Sequence, residues 1–224
     1  MTTNNADPAV LRGLEHAGAS VRLKAALAIG SCPAPGYVGA LVERCAVEPE
    51  FQVREMLTWA LTRHAASETV PLLVAEVRSE RGRARSQGRS QALHTLSKIG
   101  DGRAWPVITP ALLADTDDEV ARSAWRAAVV LVPEGEEGAL AVVLAGQLGR
   151  GGRETRLSLS RALIALGTVM LPTVAAATTH PDPHVRAHAL ATERLWRDPD
   201  AGFEFAIEEA KRVVALGGAG EEGR

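Results

Sequence analysis

His180, His184 and His188 recur every four residues, with Asp182 and Glu193 close by. Imidazoles at that spacing can share one face of a helix and hold zinc or iron. His180, however, precedes a helix expected to begin at Pro183, and no matching His/Glu pair occurs elsewhere, so no metal site is expected. Cys32 and Cys45 have no CxxC partner and no neighbouring His pair, which reads as two buried free thiols. The chain carries no nucleotide-binding Gly-rich loop, no GxSxG elbow and no HExxH motif. A protein without catalytic residues or cofactors is the expectation. The remaining chemistry-bearing group is cationic and aromatic: Trp59 with Glu55 and Arg63, followed by His94, Lys98, Arg122, Arg126 and Arg161. Trp and Arg favour binding hot spots because both supply large contact area and Arg adds a planar fork for carboxylate or phosphate.

Those residues matter only if a regular element places them together, and the chain is periodic. A helix opening returns at Val21-Arg22, Val53-Arg54, Gly88-Arg89, Val120-Ala121, Thr155-Arg156 and Val185-Arg186, in steps of 32, 35, 32, 35 and 30 residues. Between these fall shorter amphipathic stretches ended by Gly or Pro. The expected helices are 8–17, 20–30, 37–47, one through 53–61, 70–80, 87–98, 105–114, 118–132, 138–148, 154–166, 170–178, 183–196 and 203–216, with Pro71 in the first turn of its helix. Residues 1–7 are expected to be flexible, 8–216 to form one domain and 217–224 to be a disordered tail, because the two ends have little apolar surface to bury.

Helix pairs at this period, with an inner helix that opens Val-Arg-x-x-Ala, resemble the HEAT repeats, in particular the short bacterial type of the phycobilin-lyase-like proteins (PBS-lyase HEAT-like). The resemblance covers roughly residues 8 to 200. Its carriers are Val21 to Gly30, Arg89 to Ala92 with Ile99-Gly100-Asp101, Val185 to Leu190, and Asp117-Asp118-Glu119-Val120. It implies an all-α fold, a right-handed α-solenoid of about six helical hairpins with a C-terminal capping helix. A longer unit overlies the hairpins, since Arg22, Arg89 and Arg156 stand 67 residues apart each time. In the family the ladder of Arg22, Arg54, Arg89, Arg156 and Arg186 is structural. Each Arg pairs with an acidic residue of its own turn, with Glu50 placed for Arg54 and Asp182 for Arg186.

At about 100° per residue, the positions one before and three, six, seven and ten after the ladder residue form the core face. In the second hairpin these are Val53, Leu57, Ala60, Leu61 and His64. The positions one, five and nine after it lie opposite, and the resemblance makes that face concave. It carries Glu55, Trp59 and Arg63, then Ser90, His94 and Lys98, then Arg122, Arg126 and Val130, then Leu157, Arg161 and Ala165. Trp105 and Trp125 fall off this phase and are expected to pack. A second basic run, Arg78, Arg81, Arg83, Arg85 and Arg89, is expected in a solvated turn.

At 224 residues and 46% apolar, with 4% aromatic, the core must be built from Ala, Leu and Val, which favours close-packed helices. The longest apolar runs fall far short of the roughly 18 to 20 residues a membrane span needs, and the expected location is cytoplasmic. A net charge of −2 gives no overall basic footprint, so a positive concave face stands out locally. The expected function is a non-catalytic scaffold that binds an acidic peptide or protein domain there. The alternative is nucleic-acid binding, with a resemblance to the HEAT-like alkylpurine DNA glycosylases, whose Trp and acidic residue Trp59 and Glu55 would imitate. The HEAT-like iron hydroxylases are excluded, because Arg63-His64 and Leu93-His94 stand where repeated His-Glu pairs would be needed.

Overall fold

Helix-forming residues with Ala, Leu and Val at three- and four-residue spacing bury their apolar stripes against one another. The computed structural model describes residues 6–79, 86–200 and 202–218; among these, 77% are helical and no strand occurs. The chain divides into two compact units, Met1–Leu131 and Val132–Arg224.

The first unit contains α1 (Pro8–Leu14), α2 (Ala19–Ser31), α3 (Val38–Val47), α4 (Phe51–Thr62), α5 (Ala66–Arg78), α6 (Ser86–Ile99), α7 (Pro110–Leu113) and α8 (Asp118–Leu131). Packing runs α2 on α4, α4 on α6 and α6 on α8, while α1 touches α3, α3 touches α5, and α5 touches a 3-10 turn at Gly102–Val107. The even-numbered helices therefore form one layer and the intervening elements another. The core stripe lies where its period puts it: Val53, Leu57, Ala60, Leu61 and His64 are all buried. Small residues let the layers approach closely. Gly30 of α2 faces α4 so tightly that an added Cβ would stand 3.0 Å from the Ala60 Cα.

Polar groups within this core are satisfied in pairs. The Gln91 side-chain amide donates to Thr58 Oγ1 at 2.8 Å, and Thr95 Oγ1 donates to the Gln91 carbonyl at 2.9 Å, joining α4 to α6. Trp125 is fully buried and its indole N–H donates to the Leu113 carbonyl at 2.8 Å, as its off-phase position implies. Asp7 belongs to the fold rather than to a loose N-terminus. Its side chain caps α1 through the Ala9 N–H, and its own N–H donates to Tyr37 Oη at 2.8 Å.

Several helices differ from expectation, and in one of them proline is the cause. The stretch 105–114 is not one helix but the 3-10 turn followed by α7, because Pro110 holds Thr109 extended at φ −104° and ψ 156°. Thr109 then caps α7 by accepting from the Leu112 N–H. Helix α5 starts at Ala66, which places Pro71 inside it rather than in its first turn. The 170–178 segment likewise opens as a 3-10 turn, Gly167–Met170.

The second unit contains α9 (Glu137–Ala145), α10 (Arg153–Ala165), α11 (Leu171–Ala177), α12 (Pro183–Arg197) and α13 (Phe203–Gly218). Here α10 packs on α12 and α12 on α13, while α9 and α11 pack on each other and on the Gly167–Met170 turn. Ala187, Ala191, Ala206 and Ala210 form the close contact between α12 and α13. Val185, Glu193 and Trp196 are only half-buried, so α12 keeps a thinner apolar stripe than α4. No helix among the described residues is long and apolar enough to cross a membrane. Residues 219–224, most of the expected tail, lie outside the described residues.

Candidate functional site

The outward faces of α4, α6 and α8 enclose an open cleft of about 440 Å³, lined by Phe51, Glu55, His94, Asp117, Glu119 and Arg126 among others. Its floor is a directed hydrogen-bond chain. Arg126 Nη2 donates to Ser123 Oγ at 2.9 Å, Ser123 and Ser90 hydroxyls meet at 2.8 Å, and Ser90 Oγ donates to the Glu119 carbonyl at 3.3 Å. His94 Nε2 stands 3.4 Å from Glu55 Oε1. Burial pushes the His94 imidazole below its ordinary pKa, Glu55 opposes that shift, and Arg126 and Lys98 reinforce it. Burial and then Arg122 lower Arg126 in the same way.

The predicted binding residues divide by where the structure puts them. Glu55, His94 and Arg126 line one cleft, and Lys98 lies within electrostatic reach of His94. Arg122 is occupied by Glu119 at 2.8 Å. Trp59 is 38% exposed, yet its ring lies over Gly30, where an added Cβ would stand only 2.2 Å from the indole Cζ3. It is an anchored aromatic, its six-membered ring against Gly30 of α2 and part of its surface open to solvent. Arg63 caps the end of α4 and Lys98 ends α6. Both are exposed, and neither has a carboxylate partner among the described residues. Arg161 is exposed on α10 and belongs to the second unit.

The cleft is of mixed charge, because Asp117 and Glu119 join the expected Glu55 beside the cations. Phe51 was absent from the expected set although it is 64% exposed at the cleft edge, with the Arg54 guanidinium 5.8 Å from its ring centroid. It stands three residues before the ladder position, outside the helical phase used to find the face.

Arg22, Arg54, Arg89 and Arg186 of the ladder are engaged within the chain, but with partners other than those expected. Arg22 donates from Nε and Nη2 to both oxygens of Glu48 at 2.7 Å, and from Nη1 to the carbonyls of His16 and Ala17. Arg54 donates to the carbonyls of Glu48 and Pro49, and Arg186 to those of His180 and Pro181. Each of these arginines thus clamps the carbonyls six and five residues before it, so Glu50 and Asp182 are not their partners. Asp182 instead caps α12 through the His184 N–H. Where a carboxylate is engaged, it comes from the following hairpin: Glu48 for Arg22, and Asp115 for Arg89 at 2.7 Å. Glu48 is fully buried. Burial pushes its carboxyl up, but the donors of Arg22, the Glu50 N–H and Arg44 outweigh that and hold it at about 2.

The three histidines do not converge. His180 Nδ1 accepts from the Asp182 N–H, and His184 is exposed. His188 is fully buried, where Nδ1 accepts from the Gly149 N–H and Nε2 faces the Arg156 carbonyl and Ser160 Oγ, both at 3.0 Å. Burial lowers its pKa to about 4. Ser160 and His188 therefore form a sealed polar pair in the core rather than an accessible nucleophile and base. Cys45 is buried, whereas Cys32 is exposed, contrary to the expectation of two buried thiols. Of the second basic run, Arg81, Arg83 and Arg85 lie outside the described residues. No family model matches the chain, and no curated protein matches it.

Proposed function

We propose that the chain is a non-catalytic protein-interaction scaffold, a right-handed α-solenoid of HEAT-like hairpins whose first-unit cleft receives an acidic segment of a partner protein. The observation that carries this reading is that α4 and α6, which line the cleft with Glu55 and His94, also bear an anchored, part-exposed Trp59 and exposed Arg63 and Lys98 that lack carboxylate partners among the described residues. Anchoring lowers the entropy Trp59 loses on binding, and the two cations offer charge that the chain itself does not neutralise. The carboxylates Glu55, Asp117 and Glu119 in the cleft disfavour a long phosphate backbone, which would pass over them, and they favour a short segment of mixed charge.

Fluorescence anisotropy with matched labelled peptides tests this directly. An aromatic, Asp/Glu-rich peptide should bind the wild type, and Trp59→Ala/Arg126→Glu should weaken it by about tenfold or more. A charge-reversed peptide should not bind. Equal binding of both peptides, or binding confined to duplex or single-stranded DNA and lost between low and moderate salt, would overturn the reading.

A further inference from the structure

The chain repeats one charge device three times and completes it twice. Arg22 and Arg89 each meet a carboxylate that stands six residues before the next ladder position, Glu48 ahead of Arg54 and Asp115 ahead of Ala121. That residue also closes a local turn with its side chain, Glu48 Oε1 accepting from the Glu50 N–H at 3.0 Å and Asp115 Oδ1 from the Asp117 N–H at 2.9 Å. In the third copy the ladder residues are Arg156 and Arg186, and the residue six before Arg186 is His180. His180 closes the same turn, its Nδ1 accepting from the Asp182 N–H at 3.1 Å, and its carbonyl accepts from Arg186 as the Glu48 carbonyl does from Arg54. The first turns of α10 and α12 are also neighbours, since His188 Nε2 meets the Arg156 carbonyl at 3.0 Å. The turn and the arginine clamp on it are retained, and an imidazole stands in the register position of the carboxylate.

The consequence falls on Arg156. Its guanidinium makes no hydrogen bond or ion pair among the described residues; its Nε is buried without a partner, as that of Arg89 is, but Arg89 has Asp115 on Nη1 and Arg156 has no such carboxylate. A neutral imidazole that accepts at Nδ1 carries its proton on Nε2, so His180 offers a donor where Glu48 and Asp115 offer acceptors. We infer that Arg156 and His180 form a receptor for a carboxylate supplied from outside the chain, one that takes the part played by Glu48 and Asp115 in the two earlier copies. Arg provides the planar two-pronged donor that a carboxylate matches, and the chain shows that match in Arg22 with Glu48. The site lies in the second unit and does not depend on the cleft in the first.

The Arg156 Nε–H resonance of the full chain, assigned by its loss in Arg156→Lys, reads occupancy. At constant ionic strength it should shift saturably on addition of sodium acetate or of a capped Glu-containing peptide, and sodium chloride should leave it unmoved. A peptide that saturates the shift at about a tenth or less of the acetate concentration identifies a protein segment as the source. Equal potency identifies a free carboxylate. His180→Glu restores the internal acceptor, so it should abolish the acetate response and raise Tm by about 2 °C or more. A resonance that neither carboxylate moves would overturn the inference, as would an acetate response that survives intact in His180→Glu.

Discussion

At the scale of single residues, two buried groups tie the fold's stability to pH, Glu48 held charged and His188 held neutral. Glu48 is a hub: it accepts two bonds from Arg22, one from Arg44 and one from the Glu50 N–H. Glu48→Ala would leave Arg22 buried without its carboxylate and should cost about 3 to 5 kcal/mol in urea unfolding. Replacing both Arg22 and Glu48 by apolar residues of similar volume should cost much less, because no uncompensated charge remains. His188 works in the opposite sense. Its folded pKa of about 4 lies below its unfolded value, so the neutral ring stabilises the fold fully above about pH 6.5, and that stability is lost as pH falls toward 4. The whole shift corresponds to about 3 kcal/mol. Denaturant unfolding at pH 7.5 and pH 4.5 should show this loss, and His188→Gln should remove most of the pH dependence while starting from a lower stability.

At the scale of elements, the α2–α4 contact sets the candidate face. Gly30 stands late in a helix, where replacement by Ala ordinarily favours helix by about 1 kcal/mol. Here the new methyl group would meet the Trp59 ring and the Ala60 Cα, and the backbone contact cannot yield as a side chain can. Gly30→Ala should therefore destabilise by about 1 to 3 kcal/mol and change the Trp59 fluorescence, as read in a variant that keeps only that tryptophan. The helical period located α4, α6 and α8 and the residues on their outer faces, because a face is a local property of one helix. The period did not fix where helices begin and break. Pro110 breaks the 105–114 stretch by fixing the residue before it, and Pro71 sits inside α5, because the helix opens at Ala66.

At the scale of the molecule, the helices that meet at Glu48 and those that meet at His188 should respond to acid in different ranges. Glu48 belongs to the first unit, and its contribution is present above about pH 4.5 and lost toward pH 2. His188 belongs to the second, which weakens already between about pH 6.5 and 4. Amide exchange at pH 5, corrected for intrinsic rates, should show the α10–α12 amides losing protection relative to pH 7.5, and those of α2 and α4 retaining it. Loss of protection in α2 and α4 together with α10–α12 would refute that separation. The sequence by itself determined the helical class, the spacing of the hairpins, the buried stripe of α4 and the place of the ladder arginines, because each of these repeats within the reach of one helix turn or one period. Only the tertiary structure decided what the arginines hold, that Trp59 rests on Gly30, and that carboxylates share the cleft with the cations. Those outcomes depend on which side chains from separate hairpins come within hydrogen-bond reach. A shortening of two residues, such as the step of 30 before Arg186, is enough to bring His180 to the place where Glu48 and Asp115 stand.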